Sequence, residues 1–361
     1  MNGRRGNKSL DMDTVYSIID NSDIDMAAIK MAGEIIQNGG LVAFPTETVY
    51  GLGGDALNPE SSKKIYAAKG RPSDNPLIVH ICDFNDIYTI AQNIPEAAKR
   101  LADKYWPGPL TMIFEKKDIV PYETTGGLDT VAVRFPVHPV AKLFIKEAGG
   151  FVAAPSANLS GRPSPTTGKH VYEDMNGRID MIIDSGACDI GLESTIVDFT
   201  QDVPMILRPG YVNEEMLKEV LDDVSKDPAV FGNTLTDAAP KAPGMKYRHY
   251  APKGSLSIVS GPCEKVREFI QCAVSDKKAD CRIGVLASHE NVQYYRNADF
   301  LGDIGSRCKE EEIASRLYDL LRQCDEENID IIYSEEFDTP KLGLAIMNRL
   351  IKAAGHTIIN V

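Results

Sequence analysis

At 361 residues with 43% hydrophobic residues, the chain is too long for one ordinary core and fits two. Its 52 acidic against 39 basic residues give a formal charge of −13, which argues against wholesale wrapping of nucleic acid or of an anionic membrane. Seven scattered cysteines without CxxC spacing read as the reduced thiols of a cytoplasmic protein, and no run approaches 18 apolar residues, so neither a disulfide framework nor a membrane span is expected.

Residues 1–19 read as a frayed polar tail without the apolar region of a signal peptide. From Ile24 to Gln37, apolar residues recur at three- and four-residue spacing and Asn38-Gly39-Gly40 closes the pattern, predicting an amphipathic helix and a turn. Leu41–Phe44 is a short strand ending at Pro45, and Asn58-Pro59 supplies the cap and first-turn proline of a helix running through Ala68. Strands follow at 77–81, 111–114, 131–135, 151–154, 181–183 and 195–197, with helices near 95–105 and 139–148. Strands interleaved with helices predict an α/β layer fold, and neighbouring strands such as 111–114 and 131–135, which lack a helix between them, predict a mixed sheet.

Residues 20–220 therefore read as the first domain. Residues 221–254, rich in Asp, Pro, Gly and Ala and ending in Ala239-Pro-Lys-Ala-Pro-Gly-Met-Lys-Tyr-Arg-His-Tyr-Ala-Pro252, read as a linker. Residues 255–361 repeat strand and helix patterns and form a second, smaller α/β domain without an assignable chemical motif.

Five segments of the first domain could carry chemistry. In Phe44-Pro-Thr-Glu-Thr-Val-Tyr-Gly-Leu-Gly-Gly54, Thr46 and Thr48 share a face of an extended chain and can offer hydroxyls, although the same residues suit a tight turn. In Ala68-Lys-Gly-Arg-Pro-Ser-Asp-Asn-Pro-Leu-Ile-Val-His80, Lys69 and Arg71 can converge on a polyphosphate, with Asn75 and His80 at the two ends of a strand. Arg134, within the strand of Asp129-Thr-Val-Ala-Val-Arg-Phe-Pro136, needs an anionic partner, either an internal carboxylate or that of a substrate. Ala153-Ala-Pro-Ser-Ala-Asn-Leu-Ser-Gly-Arg-Pro-Ser164 is a small-residue loop suited to cradling phosphate or ribose, and without a Gly-x-Ser-x-Gly elbow its Ser156 reads as a binding serine. Ser194 and Arg208 sit near strand ends in the fifth segment, Gly191–Asp198 and the Leu-Arg-Pro-Gly that follows.

Taken in order, these segments resemble the YrdC-like family of threonylcarbamoyl-AMP synthases over residues 20–220, and the linker and second domain resemble its long, two-domain form. The resemblance implies a twisted mixed sheet with flanking helices, plus a smaller Rossmann-like α/β domain. It implies that L-threonine and bicarbonate form a carbamate which attacks the α-phosphate of ATP, releasing pyrophosphate. The product would serve a separate tRNA threonylcarbamoyl-transferase complex that modifies tRNAs reading codons beginning with A. Transferred by position, Lys69 and Arg71 would be catalytic. ATP would bind Lys69, Arg71, Asn75, Thr130, Ser156, Ser164, Arg208 and Tyr247, the last from a linker acting as a lid. Threonine would bind Thr48, His80, Arg134, Ala154 through its backbone, and Ser194, with Thr46 nearby. Mg²⁺ would be held mainly by the phosphates, since no carboxylate cluster offers a protein cage. One alternative is an RNA-binding module, disfavoured by the acidic total and the lack of an aromatic stacking motif, leaving at most a weak tRNA contact; another is carbamoyl transfer to a protein, disfavoured because the cysteine-paired zinc motifs of the chains that do so are lacking.

Overall fold

The computed structural model describes residues 13–231, 240–243, 249–276 and 281–361. The first part runs β1 (Val15–Ile18), α1 (Met26–Gln37), β2 (Val42–Phe44), β3 (Gly51–Asp55), α2 (Pro59–Lys69), β4 (Ile78–His80), α3 (Ile87–Ile90), β5 (Ala91–Gln92), α4 (Glu96–Tyr105) and β6 (Leu110–Lys116). It continues with α5 (Tyr122–Thr125), β7 (Thr130–Arg134), α6 (Pro139–Glu147), β8 (Val152–Ala154), α7 (Gly168–Met175), β9 (Met181–Asp184), β10 (Thr195–Asp198), β11 (Met205–Arg208), α8 (Glu214–Lys218) and β12 (Ser225–Lys226).

Local chemistry sets the helix ends. Asp25 accepts hydrogen bonds from the N–H groups of Ala27 and Ala28, so α1 starts at Met26, two residues beyond the apolar pattern. Asn58 caps α2 ahead of Pro59, and Gly70 ends it in the left-handed conformation.

Among the described residues these strands form one 12-stranded sheet in the order β1-β9-β2-β3-β8-β4-β7-β6-β10-β11-β12, with β5 paired to β6. It is mixed: β6 and β7 are antiparallel, as are β2–β3 and β3–β8, whereas β4–β7 and β6–β10 are parallel. Alternate residues of each strand face opposite layers. Leu41 and Ala43 join the larger core, while Val42 and Phe44 pack with α1 and α6. Ile78, Ile113, Ala132 and Ile196 form a small cluster that Ala242 of the linker caps. His80 and Arg134 lie two residues beyond Ile78 and Ala132 on the paired strands β4 and β7.

Three expectations are corrected. The stretch read as a frayed tail contributes β1, which pairs in parallel with β9; Val15, Tyr16 and Ile18 are all exposed, so no alternation marks the strand in sequence. Gly51–Asp55, read as a turn or loop, is the inner strand β3. Also, β12 falls within the stretch read as linker and extends the first sheet beside β11.

The second part comprises β13 (Ser255–Ser260), α9 (Cys263–Ser275), β14 (Ile283–Ser288), β15 (Phe300–Gly305), α10 (Glu310–Glu326), β16 (Ile331–Glu335), α11 (Gly343–Ala353) and β17 (Ile358–Asn360). Its sheet, ordered β15-β14-β16-β13-β17, is parallel throughout. One layer holds α10 and α11, and the other holds α9. The α10–α11 layer also packs on Val49, Leu192 and Tyr250, so a single apolar cluster runs from the second sheet to the first. No helix among the described residues is long and apolar enough to cross a membrane.

Candidate active site

A cavity opens on the sheet face that carries His80 and Arg134. Its lining includes Thr46, Arg71, His80, Arg134, Ala154, Ser156, Ser194 and Arg208, residues drawn from all five sequence segments. The free volume is about 50 Å³, because Pro243, His249 and Tyr250 of the linker form one wall.

Arg134 is buried at the end of β7, and its Nη2 meets Glu47 Oε1 at 2.7 Å. The arginine therefore has an internal carboxylate partner, but the pair is only half used: Glu47 Oε2 and Arg134 Nε are buried without a hydrogen-bond partner. Buried polar atoms left in that state are costly and mark a place where a ligand can complete the network. Arg134 Nη2 also reaches Thr46 Oγ1 at 3.5 Å, and Thr46 Oγ1 lies 2.9 Å from Thr48 Oγ1. Thr48 thus stands behind Thr46 rather than in the cavity lining. Burial, aided by the Arg134 charge, lowers the His80 pKa from 6.5 to about 3, so its ring is neutral at pH 7. His80 Nδ1–H donates to the Ile78 carbonyl at 3.1 Å.

The remaining cations are held by backbone oxygens. Arg71 donates to the carbonyls of Asn75 and Pro76 at 3.2 to 3.4 Å, and burial lowers its pKa to about 10. Arg208 donates to the Ser194 carbonyl at 3.0 Å and to Ser194 Oγ at 3.1 Å, while Ser194 Oγ lies 2.7 Å from Thr111 Oγ1. Lys69 is buried below the lining, with Nζ bonded to the carbonyls of Ser156 and Asn158 and to Asn158 Oδ1; burial, then Arg71, pushes its pKa well below the usual value. In this state Lys69 clamps the 156–158 loop.

Asn75 lies outside the lining, and its buried Oδ1 has no partner. Ser164 lies outside the lining and donates to Glu193 Oε1 at 2.6 Å, while Glu193 itself lines the cavity. Thr130 pairs with Glu115 at the start of β7 and is not brought to the cavity. Tyr247 lies outside the described residues.

Sequence reasoning passed over the acid that organises this wall. Glu193, adjacent to Ser194, is buried and accepts from Ser164 Oγ, from Tyr318 OH at 2.9 and 3.1 Å, and from Arg349 Nε at 3.0 Å. Burial raises its pKa, but Arg349 and Arg208 outweigh that and hold it at about 2, below the usual 4.5. Tyr318 and Arg349 belong to the second sheet's helices. Arg322 of α10 similarly binds Asp174 at 2.8 Å and the Pro163 carbonyl at 2.7 Å, and Tyr250 stacks on Tyr318 at 5.1 Å. The second part therefore builds one side of the site. No local signal announces these pairs, since Arg349 and Glu193 are 156 residues apart.

Comparison with known proteins settles the family. Residues 34–210 match the Sua5/YciO/YrdC family profile, described as telomere recombination, and residues 212–355 match the profile of the threonylcarbamoyl-AMP synthase C-terminal domain. The threonylcarbamoyl-AMP synthase of Pyrococcus abyssi is 47% identical over 334 residues, 92% of this chain and 96% of that protein. This chain belongs to the Sua5 family of threonylcarbamoyl-AMP synthases.

The Bacillus subtilis threonylcarbamoyl-AMP synthase is 46% identical over 332 residues, 92% of this chain and 94% of that protein. The crystal structure of P. abyssi Sua5 complexed with L-threonine superimposes with a TM-score of 0.91 at 46% identity, covering 96% of this chain and 100% of that one. The Sua5 architecture thus extends over both sheets of the present chain.

Proposed function

We propose that the chain is a nucleotidyltransferase that condenses L-threonine, bicarbonate and ATP to threonylcarbamoyl-AMP, with release of pyrophosphate. The observation that carries this reading is the half-satisfied Arg134–Glu47 pair in the same cavity as Arg71 and Arg208. One arginine is poised for an amino-acid carboxylate and the other two for phosphate oxygens. The threonine bound to the P. abyssi relative gives independent support.

In the proposed reaction the threonine nitrogen and bicarbonate join to form a carbamate, with loss of water. A carbamate oxygen then bonds to the α-phosphorus, and the bond to the bridging oxygen breaks, so pyrophosphate leaves with the electron pair. The step brings anions together and needs no protein nucleophile. The protein's part is positioning and charge neutralisation: Arg134 orients threonine, Arg71 and Arg208 offset phosphate charge, and neutral His80 adds no competing cation. Lys69 reaches the phosphates only if it releases the 156–158 loop.

Small-molecule pockets usually enclose ~300–1,000 Å³, so a 50 Å³ cavity represents a closed state. Entry of ATP and threonine then requires the segment carrying His249 and Tyr250 to withdraw, and its return excludes water. Among the described residues, no group of three His, Cys, Asp or Glu side chains is arranged to hold a metal, and Glu47 and Glu193 are each paired to arginine. These residues fit a Mg²⁺ ion carried on the nucleotide, with phosphate and water ligands, which would supply further charge neutralisation.

The setting we infer is cytoplasmic, with the adenylate passed to a tRNA threonylcarbamoyl-transferase complex and tRNA contact with this acidic chain weak. Pyrophosphate release measured with threonine, bicarbonate or Mg²⁺ omitted in turn tests the reading. Release should require all three; release without threonine, or none with the complete mixture, overturns it.

A further inference from the structure

The second sheet carries a cavity of about 280 Å³ separate from the site described above, lined by Gly261, Cys263, Asn291, Arg307, Glu335 and Glu336 among others. It stands at the carboxyl ends of the parallel strands. Ser260 ends β13, Ser288 ends β14, Gly305 ends β15 and Glu335 ends β16. After β13 the chain enters α9 in one layer, and after the adjacent β16 it enters α11 in the other. The loops diverge there and leave a crevice, which is where open parallel sheets bind ligands.

The crevice has a built interior. Glu335 is fully buried, yet its carboxylate accepts from Asn291 Nδ2 at 2.9 Å, Tyr295 OH at 3.0 Å, Ser288 Oγ at 2.9 Å and Arg307 Nη2 at 3.0 Å. It is saturated and serves as a holder for the groups around it. Arg307 is pinned through one nitrogen and lies over the Phe337 ring, 5.1 Å from the centroid, with about a third of its side chain exposed. A guanidinium fixed by one edge and one face presents its other edge to a ligand carboxylate. On the β13 side, α9 begins after Pro262 with no side-chain cap, and its first residue, Cys263, lines the crevice, which places the uncapped helix terminus beside it. From the β16 side come Glu336, which accepts from Ser260 Oγ, and Asp338.

Arg307 offsets Glu335, so Glu336 and Asp338 leave the crevice net negative, while the unused N–H donors of Arg307 and the α9 terminus stand on its other side. A simple anion such as phosphate would meet net repulsion, and a simple cation would leave Arg307 and the α9 terminus unused. A molecule bearing both charges satisfies both sets. We propose that this crevice binds a free α-amino acid, its carboxylate toward Arg307 and the α9 N-terminus and its ammonium toward Glu336 and Asp338. The volume suits a ligand of that size, and the site does not depend on the reaction proposed for the first cavity.

The test is hydrogen–deuterium exchange on the full chain with each of the twenty proteinogenic amino acids at 5 mM. Inorganic phosphate and the amide and N-acetyl derivatives of any hit run beside them. At least one amino acid should slow exchange in 261–267 and 335–339, its two derivatives should not, and Arg307→Met and Glu336→Gln should each weaken binding at least about tenfold. Melting temperatures of the variants separate lost binding from lost folding, and Arg307→Lys should retain partial binding. Protection by phosphate alone, protection by no amino acid, or undiminished binding by folded Arg307→Met each overturns the proposal.

Discussion

Replacing Arg349 by methionine tests whether the second part of the chain holds the active-site wall in place. The guanidinium gives Nε to Glu193 Oε2 at 3.0 Å, Nη2 to the Glu193 carbonyl at 3.2 Å, and Nη1 to the Pro209 carbonyl. Methionine keeps much of the volume and removes all three bonds, leaving a buried carboxylate without its main cation. Breaking a buried pair in this way costs ~3–5 kcal/mol.

The Glu193 pKa shows the same coupling: against desolvation of the carboxylate, Arg349 and then Arg208 bring it from 4.5 to about 2, so the ionised carboxylate contributes to stability. Because the folded-state value is depressed, this contribution is present above pH 4.5 and is lost as pH falls toward 2. Urea unfolding at pH 7, followed by circular dichroism and by fluorescence of the single tryptophan, Trp106, measures the loss. Combining Arg349→Met with Glu193→Gln removes the stranded charge and should recover at least ~1 kcal/mol. A single-variant loss below ~1 kcal/mol, or additive losses in the double variant, would refute the reasoning.

Three further outcomes follow from other parts of the structure. Arg134→Ala should weaken threonine binding in calorimetry by about a hundredfold, as loss of a buried charge-assisted contact implies, while ATP affinity stays within a few-fold; unchanged threonine affinity would remove Arg134 from that role. His80 and His249, both lowered to about 3 from 6.5 chiefly by burial, should cost stability progressively as pH falls from 6.5 toward 3, where the unfolded chain takes up protons first. His80→Gln and His249→Asn should each flatten that decline in melting temperature, and an identical pH profile would contradict the assignment. Gly53→Ala should destabilise by ~1–3 kcal/mol, because its Cβ would stand 2.8 Å from Val152 Cγ1; a neutral effect in urea titration would show that the sheet yields there.

The first sheet was legible wherever apolar runs met strong punctuation, as at Asn58-Pro59 before α2 and Pro139 at the start of α6. It was not legible where a strand's character comes from its neighbours. Glycines mark β3 because Phe44 and Val152 pack against its backbone, and the same glycines read as a turn in isolation. β1 is a strand because β9 pairs with it 166 residues away, between Val15 and Met181. Similarly, the cavity gathers Arg71, His80, Arg134, Ser156, Ser194 and Arg208, whereas Lys69 and Ser164 stand behind its lining, bonded to Ser156 and Glu193. The Glu193 network was invisible for the reason that hides β1: its partners are brought close only by the docking of distant helices.

The most direct test of the proposed synthase activity follows ¹³C-bicarbonate by mass spectrometry in a reaction with ATP, Mg²⁺ and L-threonine. The account predicts an adenylate carrying both threonine and one ¹³C, formed in step with pyrophosphate, and absent in Arg134→Ala. Pyrophosphate release without a labelled threonine-bearing adenylate, or no turnover in the complete mixture, would contradict it.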